Sequence, residues 1–209
     1  CHEHERLSCV PMPLTLSRWN PWRGLGALPR SIWIHFAATL VNRMGTMAIP
    51  FLVLYLTKDI GFTAAYAGLI LSLYEAASLV VSPFLGRLAD RVGHVRMMKV
   101  LFLSSGLVML AYPPARTAGQ IAAVTIALAV TAEAFRPASL SVLTDLAPPE
   151  QRKAAFAVNR LAINLGMSIG PAVGGYLAEI SFPWIFRVDG ATSLLAFAVL
   201  AMTGFKVAE

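Results

Sequence analysis

Apolar residues run along this chain for tens of positions at a time, and polar residues return only in short clusters. Six apolar stretches stand out, at roughly 32 to 57, 64 to 86, 97 to 115, 119 to 143, 155 to 179 and 187 to 206. Each approaches the about 20 residues that an α-helix needs to cross a bilayer core. The clusters between them, "TKDIGF", "YPPARTAG", "APPEQRK" and "SFPW", hold the prolines, glycines and charges that stop helices and meet water. A surface helix of a soluble protein carries a polar stripe, and six successive runs with so few polar positions leave no water-facing surface. The pattern predicts an all-α, polytopic membrane protein with the lipid bilayer as its solvent. A tail over residues 1–31 precedes a six-helix domain over 32–207.

Composition agrees. Of 209 residues, 57% are hydrophobic and 13% charged, where a soluble domain carries about 25% charged residues. The net charge of +6 does not predict a nucleic-acid partner, because the basic residues are scattered between apolar blocks and form no single face. Both cysteines, Cys1 and Cys9, precede the first span, so no disulfide framework holds the domain. "CHEHERLSC" lacks a second cluster to complete a four-ligand site, and neither a metal nor another cofactor is expected. No signal-peptide core precedes Ile32, so the first span directs insertion and stays, and the initial Cys in place of Met reads as a fragment or a processed start.

Positive charge sets the orientation. With the N-terminus inside, eleven Lys and Arg residues fall in the inner segments and three, Lys58, Arg116 and Arg187, in the outer ones. Both termini are therefore expected in the cytoplasm, and the chain in the plasma or inner membrane. Trp19, Trp22 and Trp33 at the inner side, and Tyr55, Tyr112 and Trp184 at the outer side, fit interfacial belts.

An internal repeat follows. "SPFLGRLAD", Ser82 to Asp90, and "GPAVGGYLAE", Gly170 to Glu179, share Pro, two apolar residues, Gly and then Leu-Ala-acid, with one extra residue in the second copy. The first copy ends span 2 at the inner side and the second ends span 5 at the outer side, so the repeat is inverted. Spans 1 to 3 and 4 to 6 then form two three-helix units related by an axis in the membrane plane, a construction associated with secondary transporters. Arg43 in span 1 and Arg136 in span 4 add a weaker correspondence.

Ionisable groups inside spans mark candidate sites, because each costs about 2.5–3.5 kcal/mol at mid-bilayer unless paired or hydrated. They are Arg43 with Asn42, Glu75, Glu133 and Arg136, and Arg160 with Asn164, and they are expected to face a shared interior. Glu75 lies on one helical face with Ser78 and Ser82 and is the proton-carrier candidate, since a carboxylate in an apolar cavity can alternate between charged and neutral forms. Arg43 and Arg136 suit an anionic substrate group or a carboxylate counter-ion. Arg160 ranks lower, near the headgroups, and His35 reads as interfacial. Gly166, Gly170 and Gly174 give span 5 one flat face for close packing, and Pro171 frees a carbonyl one turn back. "GMSIG" fits a serine-nucleophile pattern, but Ser168 stands in a glycine-rich span without the strand-turn-helix elbow that motif needs. No enzyme activity is expected.

The charged stretch between spans 2 and 3, "GRLADRVGHVR", resembles the signature loop of the major facilitator superfamily, with Gly86, Leu88, Asp90, Arg91, Gly93 and Arg96 in the matching positions and His94 where a basic residue is usual. "NRMGTMAIPFLVLYLT" and the segment from Phe135 through Gly175, including "GMSIGPAVGG", are similar to spans 1, 4 and 5 of its multidrug-exporter-like branch. The resemblance implies the N-terminal six-helix half of a proton-coupled exporter of small molecules. Its cavity would be lined by spans 1, 2, 4 and 5, and a second six-helix half, in the same gene or a separate chain, would be its partner. It also implies that Gly86, Asp90, Arg91, Gly93 and Arg96 form an inner gate. Physically, Gly86 permits close helix approach, Gly93 permits the turn, and Asp145 at the inner end of span 4 is the candidate partner for Arg91 or Arg96. The alternative is a six-helix membrane scaffold or subunit that moves no solute.

Overall fold

The structure, a computed structural model, describes residues 25–202. Within them seven α-helices make six spans long and apolar enough to cross a membrane. The first span is two helices, α1 (Arg30–Gly45) and α2 (Ala48–Leu54), extended by a π turn over Tyr55–Asp59. One unbroken helix was expected there. The break at Thr46 and Met47 lies one turn before Pro50, whose ring crowds the Thr46 carbonyl and offers it no N–H.

The second span, α3 (Ala64–Val92), starts where the Thr63 hydroxyl accepts from the Tyr66 N–H at 3.2 Å. It runs on through the charged loop motif until Gly93, whose φ of 92° is a left-handed value that glycine adopts readily. The third, α4 (His94–Ala111), stops ahead of Pro113 and Pro114. The fourth, α5 (Ala118–Leu146), opens with a capping box between Thr117 and Gln120. The fifth is α6 (Arg152–Ile180). The sixth, α7 (Phe182–Met202), begins five residues before the expected 187, because Pro183 sits in its first turn, where a missing N–H costs nothing. That early start places Asp189 inside a helix.

Packing follows a two-fold pattern. α1 packs on α6 as α5 packs on α3, α1 packs on α7 as α5 packs on α4, and α4 packs on α7. Exchanging spans 1, 2, 3 for 4, 5, 6 leaves this set of contacts unchanged, as two inverted three-helix units require. On the exchange axis Gly106 of α4 meets Gly190 of α7. A Cβ on Gly106 would lie 3.1 Å from the Gly190 carbonyl oxygen, and one on Gly190 would lie 3.0 Å from that of Gly106. The backbones touch because neither residue has a side chain.

The end of the bundle holding the α4–α5 connection is closed by a buried aromatic cluster. Tyr112 stacks on Phe186 at 4.6 Å between ring centres, Tyr55 packs on both, and the Tyr112 hydroxyl is 2.6 Å from Thr125 Oγ1. Tyr55 and Tyr112 are therefore core residues and not members of an outer belt. Their hydroxyl-bearing rings sit at a helix end, but the rings turn inward against Phe186. Trp184 and Trp33 remain exposed. Trp19, Trp22, the Cys1 to Cys9 tail and Lys206 lie outside the described residues.

Candidate functional site

The break in the first span gathers polar groups. With no i−4 carbonyl available to it, the Ala48 N–H is accepted by Asp189 Oδ2 from α7 at 3.3 Å. Asn42, one turn before the break and buried, donates through Nδ2 to Ser193 Oγ of α7 at 3.1 Å. Together with Arg43 and Thr46, Asn42 and Asp189 line a small recess of about 50 Å³. Asp189 is buried, and the expected site set lacked it because the pattern placed it beside a span boundary.

Arg43 links this recess to a larger cavity of about 700 Å³ between α1, α5 and α6. Its guanidinium lies 4.1 Å over the Phe135 ring, a cation–π contact that holds the charge against an apolar wall. Ser139 of α5 and Asn159, Arg160 and Asn164 of α6 supply the other polar groups, and Phe156, Ile163, Met167 and Leu140 the apolar ones. Such a chamber suits a ligand with an apolar body and a polar or anionic end. It lies at the end of the bundle where α5 finishes and α6 begins, the side the charge pattern assigns to the cytoplasm.

The structure thus brings Arg43 and Asn164 to one cavity, with Asn42 beside it, and adds Arg160, which the pattern ranked lower. Glu75 is not brought there. Helical register turns Tyr74 and Ser78 of α3 into the bundle, and Glu75, one residue on from Tyr74, points outward with Leu79 and Val80. The side chains of Glu133, Arg136 and Asp90 lie outside the described structure. His35, read as interfacial, is fully buried at the floor of the cavity, with Nε2 3.1 Å from Ser139 Oγ. A lone histidine in an apolar span gives no sequence signal of which way it faces.

The glycine face of α6 lies against the first span at its break. A Cβ on Gly166 would collide with Arg43, one on Gly170 would come within 3.1 Å of the Met44 carbonyl oxygen, and one on Gly174 would meet Met47 at 3.0 Å. Gly175 faces Phe51 more loosely, at 3.9 Å, and Pro171 is exposed within the continuous helix. Ser168 bonds back to the Asn164 carbonyl at 2.8 Å, the ordinary use of a serine inside a helix.

At the charged loop the local partner differs from the expected one. Asp145 Oδ2 meets His94 Nδ1 at 2.7 Å, while Arg91 and Arg96 are exposed. His94 is the first residue of α4 and faces the end of α5. The close approach expected at Gly86 is not made within the described residues, since a Cβ there would meet nothing within 4 Å. Among the described residues no group of three or more His, Cys, Asp or Glu side chains gathers to hold a metal ion.

Comparison with known proteins gives two concordant results. Residues 35–208 match the profile described as Major Facilitator Superfamily. The chain is 30% identical over 171 residues to the uncharacterized MFS-type transporter YqjV of Bacillus subtilis, covering 81% of this chain and 42% of that protein. It is 29% identical over 156 residues to the quinolone resistance protein NorA of Staphylococcus aureus, covering 72% of this chain and 39% of that protein. The chain therefore spans about two-fifths of the length of these relatives.

Proposed function

Because this chain belongs to the major facilitator superfamily, we propose that it is the N-terminal six-helix half of a secondary transporter that exports small molecules by alternating access, driven by a proton gradient. The observation that carries the reading is the chamber of about 700 Å³ between α1, α5 and α6, set in two inverted three-helix units and bordered by Arg43 and Arg160. A second six-helix half would complete the chamber, and rocking of the halves would open it to each side in turn.

Roles follow from position. Arg43, Asn164 and Arg136 hold the polar or anionic end of the substrate, with Asn42 fixing α1 beside them and Glu133 as a counter-charge. Glu75 stands on an exposed face of α3, where the second half would cover it, and carries a coupling proton there. Gly86, Asp90, Arg91, Gly93, Arg96 and Asp145 act as the inner gate, latched in one access state. The face of Gly166, Gly170, Pro171, Gly174 and Gly175 lets α6 slide on the broken first span during the change. The membrane is the cell membrane, with both termini cytoplasmic.

The name of the S. aureus relative makes a quinolone the first probe. The test is reconstitution of the whole protein in vesicles with an imposed pH gradient, following the fluorescence of a quinolone and of a panel of amphipathic dyes. Gradient-dependent accumulation is expected, with Arg43→Gln reducing it about tenfold or more, as loss of a charged hydrogen bond does. Binding without gradient-driven movement of any probe would overturn the transporter reading and favour a scaffold.

A further inference from the structure

His35 is the one buried imidazole among the described residues, and the roles proposed for the chamber give it no task. Its ring is enclosed by α1, α5 and α6. Nε2 faces two hydroxyls, Ser139 Oγ at 3.1 Å and Thr39 Oγ1 at 3.5 Å. The Asn159 side chain faces the ring from α6. Two atoms here are buried without a hydrogen-bond partner among the described residues, His35 Nδ1 and Asn159 Oδ1. Each such orphan is costly in an apolar interior, and an Nδ1–H turned toward Asn159 Oδ1 would serve both.

The partner set suits a ring that changes charge. A hydroxyl either donates or accepts, so Ser139 and Thr39 serve Nε2 whether or not it carries hydrogen. A charged imidazole has two N–H donors, and Asn159 Oδ1 is a free acceptor beside it. Access is short, because Ser139 and Asn159 both line the cavity, and the ring lies immediately behind them. The charges on the adjoining cavity are those of Arg43 and Arg160.

We infer that His35 is a proton-exchange site at the floor of the chamber, loaded and unloaded between Ser139 and Asn159 during the transport cycle. The inference rests on the proposed proton-driven transport and adds a site distinct from Glu75. In loading, a hydronium ion in the chamber gives its proton to the free lone pair of the ring and leaves as water. Nε2–H then donates to Ser139 Oγ, and Nδ1–H donates to Asn159 Oδ1. In unloading, the proton returns to water once the chamber faces the other side.

Two measurements on the whole protein in bilayers test this. Nitrogen resonances of labelled histidine report directly whether the buried ring passes from neutral to charged as the pH is lowered, with every other histidine of the protein, His2, His4 and His94 among them, replaced by Gln to clear the spectrum. The expected result is a resolved change in the His35 ring. In the vesicle assay His35→Gln is expected to lose gradient-driven accumulation of the quinolone or dye about tenfold while exchanging labelled for unlabelled probe at the parent rate without a gradient. A ring that stays neutral throughout, or a His35→Gln protein that still couples fully, overturns the inference. Should His35→Gln fail to fold, the resonance measurement on the parent ring decides. Absence of gradient-driven flux in the parent protein is a failure of the transporter reading, seen separately, and leaves the ring's titration to decide whether the proton site exists.

Discussion

Asp189 sits in the N-terminal half of α7, yet its carboxylate caps a helix in another span by accepting from the Ala48 N–H. Removing it with Asp189→Ala strands that donor in the interior and is expected to cost about 1–3 kcal/mol, measured as a lowered unfolding temperature in detergent. Asp189→Asn keeps an acceptor and is expected to cost less. Gly166 and Gly86 make a second contrast at this scale. A methyl on Gly166 falls on Arg43, so Gly166→Ala is expected to cost about 1–3 kcal/mol from overpacking. Gly86→Ala meets open space in this bundle and is expected to leave its unfolding temperature unchanged. Gly86 opens the charged loop motif and Gly166 lies inside an apolar span, but that local difference does not decide which methyl is tolerated. Only the neighbour opposite each one does.

Among elements, the first span and the α4–α7 pair carry the consequences. Pro50 breaks the first span, and the broken end is what lets Asp189 and Asn42 reach across from and toward α7. The inverted repeat also gains meaning here. Aligning Ser82 with Gly170 and Gly86 with Gly174 places Ser78 opposite Gly166, and Ser78 is buried as Gly166 is. The two copies therefore use corresponding positions for packing at Ser78 and Gly166, and part company at Gly86. At the crossing of α4 and α7, Gly106→Leu and Gly190→Leu are each expected to push the helices apart and lower the unfolding temperature. The double variant should cost less than the sum of the two, because one separation accommodates both side chains. Additive losses would show that the glycines do not share one contact.

For the whole molecule, six spans of alternating direction put the Tyr112–Phe186 plug at one end and the mouth of the Arg43–Arg160 chamber toward the other. The proposed orientation, drawn from the charge asymmetry, puts the chamber end on the cytoplasmic side. With the native cysteines, Cys1 and Cys9 among them, replaced, a cysteine at Lys58 is expected to react with an impermeant thiol reagent in intact cells, and one at Glu150 only after the membrane is opened. Reversed labelling would turn the molecule over and make the chamber outward-facing.

Span number, approximate ends and alternation were legible in the chain, because hydropathy and turn residues act over neighbouring positions and the bilayer demands the same run of apolar residues from every crossing. The loop motif and the repeat were legible for the same local reason. What faces what was decided by the tertiary structure. Glu75 turned outward, His35 turned inward, Asp145 found His94, and Tyr55 with Tyr112 left the expected interface for the core. In lipid an apolar helix has no polar stripe to declare its buried side. Its rotation is set by the fit of small residues and a few hydrogen bonds against particular neighbours, and those neighbours are distant in sequence.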